Sequence, residues 1–162
     1  MNSEEIAHLA GVLDAAGRVT VHVHKNDGYR LGYELVPVIR ITINTNDELL
    51  LGKLYAYADE NGVHVKEYER KNASSTVLGV RDRRSIERFL EPMVDYLVTN
   101  FEAAMLLLEE ILPRIEAGEH LERESFMQLV ELVEPIRLPA RNKQSYDLAY
   151  FEDLWSEDAT AD

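Results

Sequence analysis

The sequence predicts an α+β fold in which the elements follow the order α-β-β-α-β-β-α, with further helices after them. Near the N-terminus, apolar residues recur every three to four positions, which is the period of a helix with one buried face. From Arg18 the period changes to two, the period of a half-buried strand, and four segments show this alternation. From about residue 101 the helical period returns and persists.

The first helix and the first hairpin are predicted within residues 3–44. Ser3 and the two glutamates after it favour a helix start, and Gly17 ends the helical spacing. Two strands follow around a turn at residues 26–28. Their core-facing positions are Val19, Val21, Val23, Leu35, Pro37, Ile39, Ile41 and Ile43. Pro37 lacks a backbone N–H, which predicts an edge or irregular position.

The next elements repeat this arrangement. Asn46 and Asp47 cap a second helix that ends at Asn61 and Gly62. Residues 63–70 and 75–81 form a second hairpin, and Ser85 opens a third helix. Later helices are expected over about residues 101–117, 125–133 and 146–154, with prolines 113, 135 and 139 as breakers. We expect one domain over residues 1–155 and a polar C-terminal tail over residues 156–162.

Length and composition narrow the class of protein. A chain of 162 residues that is 46% hydrophobic can build one compact core. It has no cysteine, no apolar run of membrane-spanning length and an N-terminus that is amphipathic from the start. We therefore expect a cytoplasmic protein without disulfides or a membrane partner.

The formal net charge of -13 argues against a polyanionic partner, because phosphate binding normally leaves a basic surface. The charge is unevenly distributed, however. Residues 1–90 contain 12 basic and 13 acidic side chains, whereas residues 91–162 contain 5 and 17. Few of the bases are lysine, and this bias with the acidic excess favours a halophilic, archaeal-type source; the alternative is an acidic helical face kept for solubility. Either way, one surface can still bind phosphate.

Residues 9–17 read LAGVLDAAG and lie at the end of the first helix, directly before a strand. Six of nine positions match the LAGLIDADG pattern, Val12 and Leu13 are aliphatic replacements, and Ala16 is the one sharp difference. With the element order, this motif makes the chain similar to the single-motif LAGLIDADG homing endonucleases. The resemblance implies a saddle-shaped antiparallel sheet lying on DNA and a homodimer whose motif helices pack at a two-fold axis.

The first helix has the small residues that such a close approach requires, spaced four apart at Ala7, Gly11 and Ala15. The expected dimer interface consists of Ala7, Ala10, Gly11, Asp14 and Ala15. The alternative is that this stripe packs on the sheet of its own chain.

If the branched aliphatic rows face the core, the alternate positions form one exposed sheet surface. It carries bases, histidines and hydroxyls together with Val36, Val38, Val77 and Gly79, while the third strand places Glu67 and Glu69 on the other side. Such polar side chains hydrogen-bond phosphates and base edges. The expected nucleic-acid-binding residues, including two from the loop before the last helix, are Arg18, Thr20, His22, His24, Asn26, Arg40, Thr42, His64, Lys66, Tyr68, Arg70, Arg81, Arg141 and Lys143.

Alternatives remain for this surface. It can be a plain solvated face, and Arg141 and Lys143 can pair with neighbouring glutamates. A zinc site built from His22, His24 and His64 is disfavoured, because no cysteine or acidic cluster joins them.

Cleavage is not expected. The resemblance assigns the metal-binding carboxylate of the family to Ala16, whose methyl group cannot bind Mg²⁺, and a water-positioning base to Thr99. Asp14 lies about 200° around the helix from Ala16, so it is expected to orient the helix junction instead. We therefore expect no catalytic residue, no metal and no cofactor; Mg²⁺ belongs only to the nuclease alternative.

The sequence thus predicts a nucleic-acid-binding homodimer, with double-stranded DNA as the expected ligand, that derives from a homing endonuclease and is inactive in cleavage. Transcription regulation is one role open to such a protein. The alternatives are an active endonuclease that uses another acid such as Glu34 or Asp82, an RNA-binding protein of the maturase type, and a structural assembly subunit.

Overall fold

The computed structural model describes residues 1–69, 74–137 and 145–159. In these ranges the predicted order α-β-β-α-β-β-α and the later helices are confirmed. The elements are α1 (Ser3–Ala16), β1 (Gly17–Lys25), β2 (Tyr33–Asn44), α2 (Glu48–Glu60), β3 (Lys66–Glu69), β4 (Ser75–Val80), α3 (Arg83–Leu90), α4 (Phe101–Leu106), α5 (Leu112–Glu116), α6 (Arg123–Val133) and α7 (Leu148–Ala159).

Helix α1 begins at Ser3, in agreement with the predicted helix start. Asn2 is the N-cap: its side chain accepts from the Glu5 backbone N–H at 2.9 Å, and the Glu5 carboxylate accepts from the Asn2 N–H at 2.9 Å. The helix passes into β1 without a loop. A Cβ at Gly17 would lie 2.8 Å from the Arg40 carbonyl oxygen, so a residue without a side chain is needed at this junction.

The four strands form one sheet in the order β1-β2-β4-β3. Strands β2 and β4 are antiparallel and pair Ile39 with Val80, and β3 and β4 are antiparallel and pair Tyr68 with Val77. Strand β2 is an interior strand, so the edge position considered for Pro37 is wrong; the residue lies just before the stretch of β2 that pairs with β4.

Strand β3 begins later than predicted, because the backbone N–H groups of Val63 and His64 have partners outside the sheet. The Val63 N–H donates to the Ala58 carbonyl at the end of α2. The His64 N–H donates to the Ser85 hydroxyl at the start of α3. These bonds hold the segment between two helices, so pairing with β4 begins only at Lys66.

The chain forms two compact units, and the first comprises residues 1–19 and 37–110. Its core lies on the inner side of β2 and β4, where aliphatic residues of the strands meet side chains of α2 and α3. Ile41, Leu78, Leu54 and Phe89 together line one apolar pocket there. Tyr57 is fully buried, packs edge-on against Phe89 and donates its hydroxyl to the Phe89 carbonyl at 2.7 Å.

The second unit comprises residues 20–36 and the described residues from 111 onward. An aromatic cluster forms its core around Phe151, which is fully buried. The Phe151 ring lies 4.9 Å from Tyr33 and 5.2 Å from Phe126, and the hydroxyls of Tyr33 and Tyr150 are 2.6 Å apart. Burial and the Tyr150 hydroxyl raise the pKa of Tyr33. Edge-on packing of this kind adds to the stabilisation from buried area.

The predicted helix over residues 101–117 is interrupted by a π-helical turn, Leu107–Ile111, between α4 and α5. Pro113 follows at the start of α5; it has no N–H for the preceding turn, and a wider turn accommodates it. Helix α7 extends through Ala159, so residues 156–159 of the expected tail are helical. None of the described helices combines the length and apolarity needed to cross a membrane.

Candidate nucleic-acid interface

The outer face of β2, β4 and β3 is defined by the strand register within the first unit. Arg40, Gly79 and Lys66 form one cross-strand row, and Thr42, Val77 and Tyr68 form the next. Arg40, Thr42 and Lys66 are exposed. The alternate residues of β2 and β4, on the other side of the sheet, are buried: Ile39, Ile41, Ile43, Thr76, Leu78 and Val80. We call the exposed side of these rows the outer face.

Tyr68 organises the cations of the outer face. Its ring lies over Gly79, where an added Cβ would be 3.0 Å from Cε2. Lys66 Nζ is 5.2 Å and Arg81 Cζ 5.5 Å from the ring centroid, within the range of cation–π attraction. The Tyr68 hydroxyl oxygen is buried and has no hydrogen-bond partner among the described residues. One aromatic ring therefore holds two bases on the same face.

The carboxylate of Glu67 in β3 lies on the helix side. Glu67 accepts a hydrogen bond from the Tyr55 hydroxyl of α2. Burial and this carboxylate raise the pKa of Tyr55 to about 12, so the phenol keeps its proton. The separation of bases from acids expected for this strand is present at Lys66, Glu67 and Tyr68.

Thr20 is a correction to the predicted surface. It is only 3% exposed, and its hydroxyl donates to the Ile136 carbonyl at 2.8 Å. A hydroxyl buried against a backbone acceptor is used in packing and is not available to a ligand. Val38 is fully buried as well and does not belong to the exposed face.

The other predicted residues of β1 and its turn vary in exposure. Arg18 and His24 are exposed, and the half-buried His22 stacks on His24 with ring centroids 5.6 Å apart. Asn26 uses its side-chain oxygen in the turn, where it accepts from the Gly28 N–H at 3.0 Å. His64 is exposed but precedes β3, because its N–H is held by Ser85. Three further predicted residues, Arg70, Arg141 and Lys143, lie outside the described residues.

At the end of α1, Asp14 is bound to its own chain. Its carboxylate accepts from the Val98 N–H at 2.6 Å, the Asn100 N–H at 2.8 Å and the Asn100 side-chain amide at 3.2 Å. Burial acts to raise the pKa of Asp14, but the Asn100 and Val98 N–H groups outweigh it and hold the pKa below its ordinary value. The expectation that Asp14 orients the helix junction agrees with these contacts.

Asn100 is a junction residue that the sequence analysis missed. It is buried, its side-chain oxygen accepts from the Val19 N–H at 3.1 Å, and its amide donates to the Leu13 carbonyl at 3.2 Å. Asn100 therefore joins the end of α1 to the start of β1. The only sequence signal was an asparagine before a helical run, which suggests an N-cap, yet this side chain makes no cap bond to α4.

The end of α1 does not fit a divalent metal. Mg²⁺ prefers carboxylate and other oxygen ligands, whereas Ala16 offers a methyl group and both Asp14 oxygens already accept N–H groups. Thr99 is exposed and is not a base. The alternative acids are also engaged: Asp82 caps α3 through the Ser85 N–H, and Glu34 accepts a hydrogen bond from Tyr29. The described ranges contain no group of three His, Cys, Asp or Glu that could hold a metal.

The predicted dimer residues differ in how accessible they are to a partner. Gly11 and Ala15 are exposed, Ala7 is half-buried, and a Cβ added at Gly11 would meet nothing within 4 Å. Ala10 is a correction, because it is fully buried within its own chain. Asp14 is held by residues 98–100. The surface open to a partner is therefore the stripe of Ala7, Gly11 and Ala15.

Comparison with known proteins identifies the fold. No family model matches the chain. A probable intron-encoded endonuclease of Neurospora crassa is 25% identical over 125 residues, which make up 76% of this chain and 27% of that protein. The chain therefore spans about a quarter of the length of this relative.

Among solved structures, the LAGLIDADG meganuclease I-CpaMI bound to uncleaved DNA is 22% identical with a TM-score of 0.73, over 94% of this chain and 49% of that one. The chain has the LAGLIDADG homing-endonuclease fold. The homing endonuclease I-CvuI in complex with its target in 2 mM Ca shares this LAGLIDADG-type architecture at a TM-score of 0.78 and 17% identity, over 96% of this chain and 97% of that one. In another I-CvuI complex, with 2 mM Mg, the DNA is not cleaved.

Proposed function

We propose that this chain binds double-stranded DNA through the outer face and does not cleave it. The observation that carries the proposal is the cross-strand set of exposed cations, Arg40, Lys66 and Arg81, arranged around Tyr68. Cations supply affinity for phosphates, and arginine is the usual donor to guanine in the major groove. I-CvuI and I-CpaMI, which share the fold, have structures in complex with DNA.

The chain has an overall charge that repels DNA, and the outer face offsets this locally. The electrostatic energy of a phosphate contact depends mainly on the charges within one Debye length, which is about 8–10 Å. Glu67 lies on the helix side, hydrogen-bonded to Tyr55, and the acidic excess of the sequence is in residues 91–162. Within the first unit, the bases at Arg40, Lys66 and Arg81 therefore lie on the outer face, whereas Glu67 lies on the other side of the sheet.

Duplex DNA fits this face better than duplex RNA. The major groove of B-form DNA admits a two-stranded β-ribbon, whereas the major groove of A-form RNA is too deep and narrow for side chains to read. We therefore favour a DNA-binding protein of homing-endonuclease descent over the maturase alternative. Regulation of transcription is the role that this combination of binding without cleavage fits best.

The end of α1 supports the proposal that the chain does not cleave DNA. Hydrolysis of a phosphodiester needs a metal that activates water and stabilises the leaving oxygen. Ala16 supplies no ligand, and Asp14 is bound by Val98 and Asn100. We further propose a homodimer that joins through Ala7, Gly11 and Ala15, since these small residues form a stripe in which Gly11 and Ala15 are exposed and Ala7 is half-buried.

Binding through the outer face is tested by reversing two of its charges. In Lys66→Glu with Arg81→Glu, the affinity for a duplex selected from a random-sequence pool should fall, because two phosphate contacts become repulsive. The slope of log affinity against log salt should flatten by about two units. Fluorescence anisotropy over a salt series measures both quantities.

The matched control is Lys53→Glu with Arg84→Glu, which changes the same charge at exposed positions of α2 and α3. This control should keep most of the affinity and the original slope. Equal effects of the two double variants would mean that only overall charge matters and that the outer face is not the binding surface. Competition by a folded RNA stronger than that by the duplex would favour the maturase alternative.

A further inference from the structure

We propose that the outer face contains a thymine-reading pocket over Val77. This inference rests on the proposed binding of duplex DNA and specifies which base the face selects. The pocket is an open concavity of about 190 Å³ lined by Arg40, Thr42, Tyr68 and Val77.

The register explains why a concavity forms at this position. Val77 lies between Thr42 of β2 and Tyr68 of β3 in one cross-strand row. In the neighbouring row Gly79 has no side chain, and the Tyr68 ring leans over it. The ring and Thr42 therefore stand as walls on either side of Val77, which is only 6% exposed and forms the floor.

The lining combines apolar surface with hydrogen-bond donors. Val77, the Tyr68 ring and the Thr42 methyl group are apolar. Arg40 supplies only donors, and the hydroxyls of Thr42 and Tyr68 can donate or accept. An occupant that matches this lining has a small apolar group next to an acceptor.

Among the four bases, thymine presents that combination in the major groove, with the C5-methyl group beside the O4 acceptor. Guanine offers two acceptors without an apolar group, and adenine and cytosine present an amino group toward the Arg40 donors. Thymine therefore matches both parts of the lining.

The Tyr68 hydroxyl is an independent observation that points to a ligand. Its oxygen is buried and has no partner among the described residues, although buried hydroxyls are normally hydrogen-bonded. Lys66 and Arg81 lie over the ring and can leave it to contact phosphates when DNA binds. In this proposal, the movement of the two cations uncovers the hydroxyl, which can then donate to thymine O4.

The test starts from a duplex selected from a random-sequence pool, in which each thymine is replaced in turn by deoxyuridine. This replacement removes one methyl group and leaves O4 in place. At one thymine per protein copy, affinity should fall about four-fold, as expected for one buried methyl group. Val77→Thr, which puts a hydroxyl in the floor, should bring the thymine-to-deoxyuridine ratio close to one.

Tyr68→Phe isolates the hydroxyl. It should lower affinity for the thymine duplex about five-fold, the range of one hydrogen bond, without lowering the melting temperature, because no internal bond is lost. Tyr55→Phe is the matched control: it removes a hydroxyl on the helix side and should leave affinity unchanged. A lower melting temperature in Tyr68→Phe would show an internal partner and overturn this part of the proposal.

The two levels of the proposal fail differently. If no duplex is enriched from the pool, DNA binding itself is wrong. If a duplex is bound but deoxyuridine is tolerated at every thymine, or if a guanine is required opposite the pocket instead, binding stands and the thymine-reading pocket does not.

Discussion

The end of α1 and the outer face belong to the same unit but differ in what their polar groups do. At the end of α1, Asp14 binds Val98 and Asn100, and Ala16 carries no polar group. On the outer face, Arg40, Lys66 and Arg81 are exposed to solvent. Groups of the first region serve the fold, whereas groups of the second remain available to a ligand.

Catalytic chemistry and recognition therefore depend on separate parts of one fold. Metal-assisted hydrolysis depends on carboxylates at single positions, so one replacement removes several kcal/mol of transition-state stabilisation. Recognition is spread over many contacts that contribute about 1–3 kcal/mol each. Alanine in place of a carboxylate at position 16 is therefore compatible with recognition by an intact outer face.

The largest expected effect concerns cleavage. The wild-type chain should leave its selected duplex uncut in Mg²⁺ or Mn²⁺, because Ala16 presents no carboxylate to a metal. The transition state then lacks the stabilisation that a bound metal supplies, and each 1.4 kcal/mol of this loss costs about ten-fold in rate. Ala16→Asp should create divalent-metal binding, measured by calorimetry with Mn²⁺. Ala56→Asp adds the same charge at an exposed position on α2, outside the proposed dimer interface, and should bind metal more weakly. Metal-dependent, sequence-specific cutting by the wild type would remove the contrast between the two regions.

A smaller effect is expected for the stability of the α1 junction. Asp14→Asn should lower the free energy of unfolding by about 2–4 kcal/mol, since an amide replaces a carboxylate that accepts N–H groups from Val98 and Asn100. Chemical denaturation at neutral pH measures this loss.

The same junction predicts a pH dependence. Because the folded-state pKa of Asp14 is lowered, its contribution is present above the unfolded-state pKa of about 4 and is lost as the pH falls through the folded-state value. The wild type should thus lose its advantage over Asp14→Asn below about pH 4. A constant difference down to pH 2 would contradict the assigned role of the carboxylate.

The smallest effect is expected for the small-residue stripe. Gly11→Leu should shift the proposed dimer toward monomer in sedimentation, by about ten-fold in the dissociation constant, as overpacking at a close helix contact typically costs 1–3 kcal/mol. A Cβ at Gly11 meets nothing within its own chain, so the monomer should fold normally. Gly52→Leu, at an equally open position on α2, should not change the assembly. A wild type that is monomeric at high concentration would end the dimer proposal.

The regular parts of the fold were predictable because they depend on local patterns. Alternation along β2 and β4 placed Ile39, Ile41 and Arg40 on the correct sides, and the change from period 3.6 to 2 located the end of α1. The sequence also identified the face that carries Lys66 and Tyr68. These features are determined by side-chain spacing within about ten residues.

The exceptions come from contacts between distant residues. Thr20 alternates with valines like a surface residue, but its hydroxyl is hydrogen-bonded to the Ile136 carbonyl. The His64 N–H is likewise hydrogen-bonded to the Ser85 hydroxyl. Asn100 is bonded to Val19, 81 residues earlier. No local pattern records such partners, so the sequence predicts exposure for Thr20 and gives no sign of the role of Asn100.

The row spacing of the outer face also sets how much sequence it can read. Alternate residues on a strand are about 6.7 Å apart, and base pairs are stacked about 3.4 Å apart, so neighbouring rows correspond to about two base pairs. From Arg40 to Asn44 the face then spans about four base pairs. A given sequence of four base pairs recurs by chance about every 250 positions in DNA. Two copies reading eight base pairs would meet a match about once in 65,000 positions. A second copy of the outer face would thus change the recognised DNA sequence from one that is frequent to one that is rare on a chromosome.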